Sequence, residues 1–181
     1  RGHVNFIVNK KLPASFAYLC DVDPGQMATA ADTIANFQQH APKRVSDYQK
    51  VLDDKSVNAV IIATPNHWHC PIAVPALMAG KDVYLEKPGS HVFREGRLLV
   101  EAAKKFKRIV QHGTQMRSSN VTAKAGEVLA SGLLGDIKMS KAWNCQRHKQ
   151  RQPVPNSPPP SHVNYDIWLG PAPLRPFNAN R

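Results

Sequence analysis

Residues 57–64 read Val-Asn-Ala-Val-Ile-Ile-Ala-Thr and stop at Pro65. An apolar run of this length without polar alternation is the pattern of a parallel strand covered on both faces. Parallel neighbours cannot be joined by a tight turn, so such a strand demands crossover helices before and after it. The segment up to residue 115 supplies them. Phe16–Cys20 is a short apolar run leaving through Asp21-Val22-Asp23-Pro24, a buried strand and its exit. Pro24 suits a first helical turn, and Met27, Ala31, Ile34 and Ala35 then fall on one face of a helix reaching about His40. Val45 ends a further short strand, and Ser46-Asp47 can cap a helix through Leu52. Pro71–Ala79 reads as a helix stopped by Gly80 and kinked at Pro75. Asp82–Leu85 and Arg108–His112 read as strands. Between them Leu98, Leu99, Ala102, Ala103 and Phe106 form one helix face, opposite Arg97, Glu101 and Lys105. This alternation predicts an α/β fold with a doubly wound parallel sheet.

The rhythm changes after Gly113. Ser119–Ser131 predicts a helix and Asp136–Asn144 a strand. Eight of the fifteen prolines then fall between Pro153 and Pro176, and Asn156–Pro160 is extended or irregular. The expected organisation is a first domain over 1–115 and the start of a second over 116–181.

Composition removes several classes of function. The 181 residues are 42% hydrophobic, which excludes wholesale disorder. No apolar run, the candidate at 59–64 included, approaches the ~18 residues a membrane helix needs. Three cysteines, Cys20, Cys70 and Cys145, are too few for a disulfide framework and favour a reducing compartment. The cytoplasm is therefore the default location, with export left open because the chain begins at Arg1 and not at Met. A net charge of +11 admits an anionic partner. The basic residues are scattered, however, with no stripe interleaved with aromatics, which argues against nucleic acid.

Four places can carry chemistry. Asp21 ends a strand; there an acid can accept hydrogen bonds from the ribose hydroxyls of a dinucleotide, or simply hold a turn. Thr64-Pro65-Asn66-His67-Trp68-His69 lies where a strand's carboxyl end meets a helix, the position at which open α/β sheets bind ligands. It also reads as a helix-capping turn. A zinc site built on His67, His69 and Cys70 is disfavoured, because four ligands are needed and no companion pair lies nearby. Glu86-Lys87-Pro88 follows the next strand, where a partly desolvated lysine becomes a proton-transfer group; alone, it reads equally as a surface lysine. Arg147-His148-Lys149-Gln150-Arg151 enters the proline-rich segment as a solvated or substrate-facing loop.

Taken together, residues 63–69, then Ala79-Gly80-Lys81-Asp82-Val83, then Glu86-Lys87-Pro88 resemble the glucose–fructose oxidoreductase/inositol dehydrogenase family, Gfo/Idh/MocA. Tyr165-Asp166-Ile167-Trp168-Leu169-Gly170-Pro171-Ala172-Pro173 is similar to one subgroup of it. The resemblance implies a Rossmann domain followed by an α/β domain with a large open sheet. It also implies NAD or NADP as cofactor, a sugar or polyol substrate, and homo-oligomers. By that resemblance, Asp21 is the ribose-binding acid, and Thr64, Pro65, Asn66 and His69 line the cofactor. Glu86 and Lys87 belong to the Glu-Lys-Pro signature, with Lys87 contacting the nicotinamide side and the substrate hydroxyl as the catalytic candidate. Arg147 and His148 lie where substrate-side residues are carried.

Two departures shape the expectation. No G-x-G-x-x-G occurs, and Arg1-Gly2-His3-Val4 is similar to the end of the family's glycine-rich loop and the start of its helix. The family's acid/base histidine lies on a later helix than any seen here. The chain thus reads as an internal piece of a longer dehydrogenase, without the first strand, and is expected to be inactive alone. A glycosidase that oxidises its sugar transiently, and a non-catalytic nucleotide-binding or sensor protein, are the alternative readings.

Overall fold

The computed structural model describes residues 2–143 and 152–180. Helix α1 (Gly2–Asn9) leads to strand β1 (Tyr18–Cys20), helix α2 (Pro24–Gln38), strand β2 (Lys43–Val45) and helix α3 (Gln49–Asp53). Strand β3 (Ala59–Ile62), helix α4 (His69–Met78), strand β4 (Asp82–Glu86), helix α5 (Phe93–Phe106) and strand β5 (Val110–Gly113) follow in strict alternation. Helices α6 (Asn120–Ala130) and α7 (Tyr165–Leu169) complete the described elements.

All strand pairs are parallel, as the apolar runs demand. They fall into two sheets: β1 pairs with β2, and β3, β4 and β5 form a separate three-stranded sheet in that order. Register is set by Leu19 opposite Arg44 in the first sheet, and by Ile61 opposite Tyr84 and Leu85 opposite His112 in the second. The core lies on one face of the larger sheet. Val83 and Leu85, alternate residues of β4, meet Ala73, Ala76 and Leu77 of α4 and Leu99 and Ala102 of α5, all buried. Each large side chain there contributes ~1.5–3 kcal/mol of apolar burial.

The turn from α4 into β4 shows how sequence sets geometry locally. Gly80 takes a left-handed φ of +76°, where a side chain would strain the backbone. The reversal sends Lys81 inward, only 3% exposed, and its Nζ donates to the Asp54 carbonyl at 2.6 Å. A buried ammonium is tolerated there because a carbonyl receives it.

Several expectations need correction. The strand at 57–64 is not covered on both faces: Ala59 is exposed and Ile61 is 45% exposed. Its strand pairs with β4 alone, and only the Ile62 side meets the helical layer. Leu98 points outward while Leu99 and Ala102 are buried, so α5 is rotated slightly from its expected face. The helix expected from Ser46-Asp47 starts at Gln49, because the Asp47 side chain accepts from the Gln49 amide in a tight local turn. The strand expected over 136–144 is absent from its described residues; Ile137 and Met139 are exposed, with no partner strand to pair them. No helix among the described residues is long and apolar enough to cross a membrane.

Candidate active site at the carboxyl ends of the strands

The carboxyl ends of β3, β4 and β5 bring the predicted residues together. His69 opens α4 and is almost fully buried, at 1% exposure. Its Nε2 lies 3.0 Å from the Thr64 carbonyl and its Nδ1 2.5 Å from the Pro88 carbonyl. Next to it, the Cys70 thiol donates to the Gly89 carbonyl at 3.3 Å. The first turn of α4 therefore ties the turn after β3 to the turn after β4. His69, expected from the resemblance to line the cofactor, is buried here with both ring nitrogens on carbonyls of the two loops. Burial, and secondarily the charge of Glu95, pushes the Cys70 thiol up to about 11.

Thr64 presents the most telling atom. Its Oγ1 is buried and has no hydrogen-bond partner. Buried hydroxyls are normally satisfied, so this atom at a strand's carboxyl end calls for a polar partner. Pro65 is partly buried and Asn66 exposed beside it, opening a short 3-10 turn that carries His67 and Trp68.

Glu86 and Lys87 stand on the turn after β4. Glu86 Oε2 accepts from the Lys87 amide at 3.0 Å, and Glu86 Oε1 lies 2.9 Å from His3 Nε2 on α1. The His3 ring also packs edge-on against Tyr84 at 4.9 Å. Lys87 is exposed, so the described residues do not supply the burial that its proton-transfer role was expected to draw on. Gly113, ending β5, closes the floor: a Cβ there would lie 3.0 Å from the Tyr84 hydroxyl and 3.3 Å from the Glu86 backbone.

Asp21 lies apart from this cluster in sequence, at the end of β1. Its Oδ1 accepts from the Asp23 amide at 2.9 Å, and Asp23 in turn caps α2 through Gly25. The turn role is thus real, yet a carboxylate has further lone pairs for ribose hydroxyls. Arg147 and His148 lie outside the described residues.

The contacts made by His3 and Trp68 were not legible in the local pattern, although Trp68 lies in the turn singled out after β3. His3 meets Glu86 only through tertiary packing of α1. The Trp68 indole donates to the Ile167 carbonyl at 2.8 Å, in a helix that local pattern does not announce.

Parallel strands alternating with helices, with an acid just past β1, are the arrangement of the Rossmann class. Sequence comparison agrees. The family model described as oxidoreductase family, NAD-binding Rossmann fold, matches residues 2–114, and that of its C-terminal α/β domain matches 101–181. The chain belongs to the Gfo/Idh/MocA oxidoreductase family. It is 29% identical over 162 residues to inositol 2-dehydrogenase of Salmonella typhimurium, covering 89% of this chain and 46% of that protein. It therefore spans about half the length of the curated relatives it matches. Among solved structures, it resembles myo-inositol 2-dehydrogenase from Lactobacillus plantarum with a TM-score of 0.64 at 23% identity, over 75% of this chain and 39% of that one. It also resembles the WlbA dehydrogenase from Chromobacterium violaceum, solved with NADH and UDP-GlcNAcA, with a TM-score of 0.66 at 21% identity, over 74% and 37%. At these identities the two structures speak for the fold.

Proposed function

We propose that this chain is the cofactor-binding part of an NAD-dependent dehydrogenase that oxidises a hydroxyl of a sugar or polyol. The observation that carries the reading is the pairing of an unsatisfied buried hydroxyl, Thr64 Oγ1, with the Glu86-Lys87 turn, on two loops clipped together by His69. The inositol dehydrogenase relatives favour a polyol as the substrate class. The residues fit NAD: Thr64 has a free polar atom for it, and Asp21 has acceptor capacity for its adenosine ribose. NAD, when bound, supplies the hydride acceptor.

The remaining work falls to this chain's own groups. Exposed at the mouth of the turn, Lys87 Nζ can hydrogen-bond the substrate hydroxyl oxygen and take part in relaying its proton. Glu86 fixes the direction of that turn by accepting the Lys87 amide and the His3 ring together. His69 holds the turn's carbonyl from behind.

The test is a substrate screen on the full-length protein, following reduced nicotinamide with inositols, hexoses and their acids. Net NADH formation with a free polyol or sugar is the expected result. Aglycone release from glycosides without net NADH would replace this reading with the glycosidase one. NAD binding without turnover on any alcohol would favour a sensor.

A further inference from the structure

The segment 162–170 has no part in the reading above, yet it is tied by hydrogen bonds to two turns far away in sequence. Its helix α7 is capped by the Asn164 side chain, which accepts from the Ile167 amide. One end of it meets the turn after β1: the Asn164 amide donates to the Val22 carbonyl at 3.2 Å, and His162 Nε2 lies 3.8 Å from Asp23 Oδ1. The other end meets the turn after β3. The Trp68 indole donates to the Ile167 carbonyl, and His67 Nε2 lies 2.9 Å from the Trp168 carbonyl. Leu169 is buried, and Trp168 stacks on Tyr165 at 5.7 Å.

The fit at Gly170 is close. A Cβ there would stand 2.3 Å from the Trp68 ring, and φ is +49°. The indole cannot swing away cheaply, because its N–H is committed to Ile167. Glycine is thus required both by the backbone angle and by the ring packed against it.

Two carboxyl ends that belong to different sheets are therefore bridged by one short helix. Val22 adjoins Asp21, and His67 and Trp68 follow Thr64-Pro65-Asn66 directly. In a dinucleotide fold the acid after this strand marks the adenosine end of the cleft. Resting on the NAD reading above, we infer that α7 is a binding element of the site: it closes the adenosine end and fixes the spacing between Asp21 and the Thr64 turn. Binding of the adenosine half and docking of α7 are then linked, each strengthening the other.

The experiment uses the full-length protein and three probes: NAD, ADP-ribose and nicotinamide mononucleotide. Amide exchange is read at Asn164, Trp168 and Gly170, whose N–H groups bond to Val22, Asn164 and Asp166. NAD and ADP-ribose should slow exchange at all three, and nicotinamide mononucleotide should not. Trp68→Phe keeps the ring and removes its N–H; it should weaken ADP-ribose by roughly three- to tenfold, the scale of one hydrogen bond. Gly170→Ala should do the same or more. If ADP-ribose binds wild type without slowing α7 exchange, the inference falls, whatever the variants do or fail to fold into. It falls also if both variants loosen α7 while the ADP-ribose Kd is unchanged, which would make α7 a strut. Wild-type protein that binds no NAD overturns the dehydrogenase reading itself, a result distinguishable from either.

Discussion

His3 Nε2 lies 2.9 Å from Glu86 Oε1, joining the first turn of α1 to the last residue of β4. The same carboxylate holds the Lys87 amide through its other oxygen. Glu86 thus acts as a bracket between a helix and the turn that carries the catalytic candidate. His3→Phe keeps an aromatic ring against Tyr84 and removes the donor. It should destabilise by about 1 kcal/mol, the scale of a partly buried polar pair. A double-mutant cycle with Glu86→Gln, read by denaturant unfolding, checks this; additive effects would mean the pair is not coupled.

Lys87→Met in the full-length enzyme should lower kcat/KM by ~10²–10⁴, the scale of losing a positioned proton-transfer group. Its side chain is exposed, so thermal stability should hardly change. Parallel steady-state kinetics and a melt separate the two. Activity within threefold of wild type would remove Lys87 from the chemistry.

Asp21 and Asp23 place two carboxylates just past β1, two residues apart, with the Asp23 backbone amide donating to Asp21 Oδ1. A 2′-phosphate there would meet like charge, whereas ribose hydroxyls find acceptors. NAD should be preferred over NADP in kcat/KM, and Asp21→Ser should narrow the gap. A tenfold preference for NADP in the wild type would contradict this.

Alkaline pH should reveal two thiols, Cys70 in the core and Cys20 at the exposed end of β1. Burial, followed by Glu95, pushes Cys70 up to about 11 from an ordinary value of 9.0; burial, followed by Asp21 and Asp47, does the same to Cys20. The unfolded chain then loses these protons first. The folded state keeps their full contribution below about pH 9 and loses it as pH rises through 11. Stability should fall across that window, and Cys70→Ser, which does not titrate there, should flatten part of the slope. Denaturant midpoints from pH 8 upward give the measurement.

Two glycines should respond in opposite directions to alanine. Gly113→Ala presses a methyl on the Tyr84 hydroxyl and the Glu86 backbone and should cost ~1–3 kcal/mol. Gly126 sits within α6 with nothing within 4 Å of its added Cβ, so Gly126→Ala should stabilise that helix by up to about 1 kcal/mol. Thermal melts of the two variants suffice.

The parallel α/β rhythm was legible because it is local. Periodicity over Met27–Ile34 and Leu99–Phe106, and the stops at Gly80 and Pro65, each act within a few residues. The failures are all questions of who the neighbours are. Ile61 is as apolar as Ile62, and only the placement of helices decides which of them is covered. The strand expected after Asp136 depends on a partner that no local pattern can supply. At the site, Asp21, Thr64 and Glu86-Lys87 were visible as residues at strand ends. His69 was visible too, though its role as a clip required two carbonyls from distant turns. Helix α7 was known only as part of a motif, since five residues among prolines carry no periodic signal.

The contacts of His69 have a mechanical consequence. Loops on an enzyme surface ordinarily wander independently, each on its own hinge. Here one ring wedged between the Thr64 and Pro88 carbonyls makes two loops and the head of α4 a single part. That part inherits its stiffness from the Ala73, Ala76 and Leu77 packing beneath it, not from the loops themselves. On the proposed dehydrogenase reading, the position of the Lys87 turn relative to Thr64 is then set in the core, and loosening that core should lower activity before it lowers the melting temperature.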